Sequence, residues 1–170
     1  ASMLSHPAAR ALQEQGTPIT WLRPGDQIDP IQGFLVAAPR NPGATSNDAS
    51  LWTIIDLDGL RVQLPGDAQE VGIASAIADG IARPADILVL PHHGRPEVTI
   101  DALLDVIHPR ICLVSNRNGE DHSAQGEIVL RRAVPTFATG MCGTLTVDAG
   151  AQPTVTGALG LPLPPRPRER

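Results

Sequence analysis

A mixed α/β sheet flanked by helices is the fold class that three features of these 170 residues predict. Two apolar runs, Leu51 to Leu57 and Leu60 to Leu64, are joined by Asp58-Gly59, which supplies the positive φ angles of a tight hairpin turn. Short branched runs, Ile87 to Leu90 and Ile111 to Val114, then alternate with helical stretches, the pattern of buried parallel strands joined by crossovers. Those strands end in polar turns, where open α/β sheets carry their chemistry.

Taken in order, Pro7 to Gln15 reads as a short helix with Ser5 before it and Gly16 past its end. Ile19 to Leu22 is expected as a strand, Arg23-Pro24-Gly25-Asp26 as a turn, and Phe34 to Ala37 as a second strand. Residues 39–48 are a polar connecting loop. The Asp58-Gly59 hairpin follows, its near-continuous apolar runs suggesting burial on both faces. A helix over Ala68 to Asp79 places Val71, Ala74 and Ile77 on one stripe and stops at Gly80. Thr99 caps a helix whose Ile100, Leu103, Leu104 and Ile107 share one face. His108 ends that helix as a favourable partner of its dipole. A helix over Ala124 to Arg132 and strands near Thr136 to Ala138 and Gly143 to Val147 complete the unit. The organisation expected is one domain over 1–150 and a Pro/Arg-rich tail over 151–170, disordered or polyproline II.

Composition narrows the function classes. The net charge of −5, with no lysine at all, repels a phosphate backbone at long range. Four large rings, Trp21, Phe34, Trp52 and Phe137, offer little stacking surface for single-stranded bases. Cys112 and Cys142 lie in or beside apolar segments without metal-ligand spacing and read as free thiols. No run approaches the roughly 18 apolar residues of a membrane span, so a soluble domain is expected.

The residues with chemical potential fall at strand ends. Asp67 follows one strand, and Pro91-His92-His93-Gly94 follows the next, 25 positions later. A carboxylate and paired imidazoles meeting at one sheet edge suit a metal ion. Asp67 also has a plain structural reading, because Glu70 three residues on would complete a helix capping box. His92 and His93 read as one ligand and one imidazole that supports it or faces substrate, and the sequence does not say which is which. His122, in the loop after Ile111 to Val114, is either a proton donor to a leaving oxygen or an exposed loop histidine.

These motifs, in this order, resemble the metallo-β-lactamase fold, and within it the hydrolase-like domain of the ComEC family of DNA-uptake proteins. The matching segments are Asn47-Asp48-Ala49-Ser50, Gly66-Asp67-Ala68, His92-His93-Gly94 and Asp121-His122-Ser123, within a similarity running from about Leu4 to Asp148. The family's His-x-His-x-Asp-His string, which supplies most of its metal ligands, is absent from these residues. The resemblance therefore implies the second half of an αββα sandwich, with helices on one face of a mixed sheet. It implies metal-assisted hydrolysis of DNA phosphodiesters, with zinc or manganese ions completed by sequence or a partner outside this chain. Asp67 with His92 or His93 would hold metal, His122 and Arg95 would attend the phosphate, and Asn47 and Ser50 would position substrate. His6 lies near where related enzymes carry an additional ligand. The domain would sit on the extracytoplasmic face of a membrane protein. A non-catalytic assembly module of such a transporter is the alternative. A half sandwich further implies an exposed apolar face, self-association, or the N-terminal segment folded over that face.

Overall fold

The computed structural model describes residues 7–95, 97–116, 132–149 and 152–158. A seven-stranded sheet runs in sequence order: β1 (Gln27–Ile31), β2 (Phe34–Ala37), β3 (Trp52–Leu57), β4 (Leu60–Leu64), β5 (Ile87–Val89), β6 (Ile111–Val114) and β7 (Thr136–Ala138). The first four strands are antiparallel neighbours, and β4 to β7 are parallel. The changeover at β4 follows from its connections. Asp58 and Gly59, with φ of 49° and 84°, close the β3–β4 hairpin in two residues. Parallel pairing instead needs a crossover, supplied by α2 (Glu70–Ala78) between β4 and β5 and by α3 (Ile100–Ile107) between β5 and β6.

Strand alternation sorts the apolar side chains into two layers. On one face Trp52, Ile54, Leu88, Cys112 and Val114 pack with Ile73 and Ala76 of α2 and with Ile100, Leu103, Leu104 and Ile107 of α3. The expected helical face of α3 is thus the buried one. On the other face Leu60, Ile87, Ile111 and Phe137 pack against Val155, Leu145 and Val147. Those last three belong to a separate hairpin, β8 (Leu145–Asp148) paired with β9 (Thr154–Gly157). Both helices therefore sit on one face, and a C-terminal hairpin, rather than the N-terminal segment, lies over the other. The N-terminal helix α1 (Pro7–Glu14) has no buried residue.

Several expectations change in detail. Ile19 to Leu22 forms no strand, whereas the polar run Gln27–Ile31 does, at the sheet edge where Pro30 is tolerated. Thr154–Gly157 is a strand although it lies in the stretch expected as tail, because its Val155 finds the apolar face of β4 to β7. The hairpin strands are not buried on both faces. Trp52 and Ile54 are buried, while Thr53 and Ile55 are half-buried and Leu57 is exposed. In α2 the buried face runs through Gly72, Ile73, Ser75 and Ala76, and Val71 and Ala74 are exposed. The cause is a tether: the buried Asp48 carboxylate accepts the Gly72 N–H at 2.9 Å and draws that face inward. Gly72 is obligatory at this approach, since a Cβ there would stand 2.5 Å from the Asp48 carbonyl oxygen.

Candidate metal site at the strand ends

Three loops meet at the carboxyl ends of β4, β5 and β6. The first is the turn Pro65-Gly66-Asp67. Gly66 sits at φ +64° against the Ser50 side chain, and the Asp67 N–H donates to Ser50 Oγ at 3.1 Å. Helix α2 begins only at Glu70, with Gln69 at the capping position and no side-chain bond there, so the capping-box reading of Asp67 does not hold. Ser50 has taken its backbone, and the carboxylate turns to the sheet edge.

The second loop leaves β5 through Pro91-His92-His93-Gly94. His92 and His93 both adopt left-handed backbone, at φ/ψ of 51°/41° and 56°/24°, followed by Gly94 at φ 77°. Each left-handed L-residue costs about 1–2 kcal/mol, so the turn is held by its neighbours. The His92 N–H donates to Gly66 O at 3.1 Å, joining the two loops, and the Arg95 N–H donates to His92 O at 3.0 Å.

The third loop contributes a carbonyl. His93 Nδ1 lies 2.7 Å from Ser115 O at the end of β6. A carbonyl only accepts, so Nδ1 carries a hydrogen, and a neutral ring then has its lone pair on Nε2. That Nε2 is 3.3 Å from Asp67 Oδ1, with both side chains about half exposed. A carboxylate oxygen and an imidazole nitrogen at this separation can share a proton or take a metal ion between them. His92 turns to a different partner: its Nδ1 is 2.8 Å from Glu97 Oε1, with side chains 11% and 9% exposed, and 3.4 Å from Gln69 Nε2.

The structure thus brings Asp67, His93 and Ser50 together and sets His92 beside them. Asn47 joins through its backbone only, its carbonyl accepting the Ser50 N–H at 3.0 Å. Arg95 directly follows the histidine turn. His122 and His6 lie outside the described residues. His108 caps α3 in left-handed conformation and lines a separate polar cleft with Asp56, Arg61, Asp86 and Arg110 at the opposite ends of the strands. Among the described residues no cluster of three or more His, Cys, Asp or Glu side chains fits a metal ion. Asp67 Oδ1 and His93 Nε2 are a carboxylate oxygen and an imidazole nitrogen, donor types that metal ions take, but two such atoms do not make up a coordination shell.

Two contributors escaped the sequence reading. Asp48 accepts from Thr45 Oγ1 at 2.7 Å and from the Gly72 N–H, fixing the loop that presents Ser50. Glu97 is the buried partner of His92. A lone acid in a polar loop gives no pattern to find; only Glu97's position five residues after His92, across a turn, hints at contact.

The chain is similar to a curated protein over most of its length. It is 27% identical over 143 residues to ComE operon protein 3 of Bacillus subtilis (strain 168). That match takes in 80% of this chain and 18% of the relative, so the chain spans less than a fifth of the length of the curated protein it matches. No family model matches it. Among the described residues no helix is long and apolar enough to cross a membrane.

Proposed function

We propose that this chain is the strand-end portion of a metal-dependent phosphodiesterase domain of metallo-β-lactamase type that acts in DNA uptake on the extracytoplasmic side of a membrane. The observation that carries the reading is the pair of facing acceptors, Asp67 Oδ1 and His93 Nε2 at 3.3 Å. The likeness to ComE operon protein 3 supports the link to competence and DNA uptake. Two candidate ligands meet among the described residues, so a complete coordination shell would draw its others from polypeptide beyond this chain.

Zinc or manganese, when bound, supplies Lewis-acid polarisation of the phosphodiester and an activated water. This chain's residues prepare the place for it. Ser115 O holds the hydrogen of His93 on Nδ1 and keeps Nε2 as a ligand nitrogen. Ser50 fixes the backbone of Asp67 and so the reach of its carboxylate. Asn47 braces Ser50, and Arg95 and His122 attend the phosphate, His122 as proton donor to the leaving oxygen. A bound cation also offsets the acidic charge of the chain where a DNA strand approaches.

The test is Zn²⁺ and Mn²⁺ stoichiometry, by calorimetry and mass spectrometry, for this chain and for a longer polypeptide carrying the histidine-rich string. Binding should be weak in the first, tight in the second, and lost in both on Asp67→Ala or His93→Ala. If both variants bind metal as the parent does, the assignment fails. If no metal binds in either context, the domain is a non-catalytic assembly module.

A further inference from the structure

The polar cleft at the far ends of the strands, away from Asp67 and His93, has a volume of about 550 Å³, within the size range of small-molecule pockets. Backbone bonds fix its walls: the Ala85 N–H donates to Ile107 O at 3.0 Å and the Arg110 N–H to Asp86 O at 2.8 Å. Its two carboxylates are already engaged. Asp56 accepts from Arg61 Nε at 2.7 Å and Nη2 at 3.3 Å, and Asp86 accepts from the Arg61 N–H at 2.9 Å and from Arg110 Nη1 at 3.3 Å. Each carboxylate oxygen therefore holds a hydrogen, and the surplus in the cleft is of donors. Arg61 spends its remaining nitrogen on Pro84 O at 3.2 Å, but Arg110 makes that single side-chain bond, and the His108 ring has no hydrogen-bond partner among the described residues. His108 also holds left-handed backbone, φ/ψ of 49°/50°, at a helix end where glycine or asparagine costs least. Strain of that kind gathers where a side chain serves a ligand.

We propose that this cleft binds a small organic oxyanion, its carboxylate or phosphate group held by Arg110 Nε and Nη2 and by the His108 ring, and its carbon body lying against Pro84 and Ile107. The planar guanidinium presents two parallel N–H groups that match either oxyanion. A cation would meet only acids already paired with arginine. The site stands apart from the metal-site reading and holds whether or not Asp67 and His93 take an ion.

Titrations of the full chain with hexanoate, hexyl phosphate and hexylamine at matched ionic strength, followed in ¹H–¹⁵N spectra of the arginine Nε and histidine ring signals, test this. At least one anion should move the Arg110 and His108 signals to saturation, the tighter of the two naming the oxyanion, and hexylamine should move neither. Arg110→Ala and His108→Asn, whose asparagine suits the left-handed backbone, should each weaken the anion about tenfold. Asp86→Asn, which releases Arg110 from its acid and keeps an oxygen for the Arg61 N–H, should tighten it severalfold, a sign that damage to the fold cannot mimic. The Asp86→Asn result decides the matter if either other variant fails to fold. Absence of saturable shifts with both anions, equal binding of the amine, an affinity unchanged in a folded Arg110→Ala or His108→Asn, or no gain in Asp86→Asn overturns the proposal.

Discussion

Gly72→Ala sets two principles against each other with opposite signs. Gly72 lies within α2, and helix propensity alone makes alanine more stable there by about 1 kcal/mol. Its added Cβ, however, would stand 2.5, 3.0 and 3.1 Å from the O, Cα and C atoms of Asp48, all of them backbone. Relief requires the Asp48 segment to retreat by roughly 1 Å, against overpacking costs of about 1–3 kcal/mol. That retreat stretches the bonds from the Gly72 N–H and Thr45 Oγ1 to the Asp48 carboxylate, now 2.9 and 2.7 Å, and bonds to charged groups contribute about 1.5–3 kcal/mol each. With the top of the overpacking range set against the propensity gain, the variant should lose about 2 kcal/mol, or about 4–8 °C in Tm for a domain of this size. Urea and thermal unfolding followed by circular dichroism read both quantities. A variant as stable as the parent, or more so, would show that the Asp48 loop yields freely and that its tether does not set the buried face of α2.

Other expectations follow from the same contacts. Leu88→Ala, at a fully buried position facing both helices, should cost about 2–5 kcal/mol in urea denaturation, and a loss below 1 kcal/mol would contradict the assigned core. Ser50→Ala removes the acceptor of the Asp67 N–H and should lower stability by about 1 kcal/mol while weakening Zn²⁺ binding; unchanged binding would detach Ser50 from the site. Burial pushes the Cys112 thiol up to about 12, so a thiol reagent at mildly alkaline pH should label Cys142 readily and Cys112 only on unfolding. The unfolded chain ionises this thiol earlier, so the contribution of Cys112 to stability is complete below about pH 9 and falls by about 1.4 kcal/mol per unit as pH rises toward 12. A stability curve flat across that window in the parent but not in Cys112→Ala would refute the burial argument.

What the sequence made legible was local. Asp58-Gly59 dictates its own turn, and the spacing of Ile100, Leu103, Leu104 and Ile107 identifies the buried stripe of α3 without reference to anything else in the chain. The strand-end placement of Asp67 and the two histidines was legible for the same reason, because parallel strands expose their carboxyl-end turns together. Contacts made at long range were not. Ser50 displaces the capping role of Asp67 from 17 residues away, and Asp48 rotates the buried face of α2 from 24. β1 and β9 were missed because neither has a continuous apolar run; each is a strand by virtue of its neighbour, β1 along the edge of β2 and β9 beside β8. Which imidazole faces Asp67 depends on where Ser115 and Glu97 lie, and adjacency in sequence carries no information on that.

The left-handed histidine turn also bears on protein engineering. A screen that rewards heat resistance alone should exchange His93 for glycine or asparagine early, since the ring is half exposed and its backbone conformation is one those residues adopt with less strain. His92 should resist the same exchange, because removing its ring would strand an acid inside the protein. On the metal-site proposal, thermostable clones would lose affinity for cations, and the two adjacent imidazoles would part company under selection.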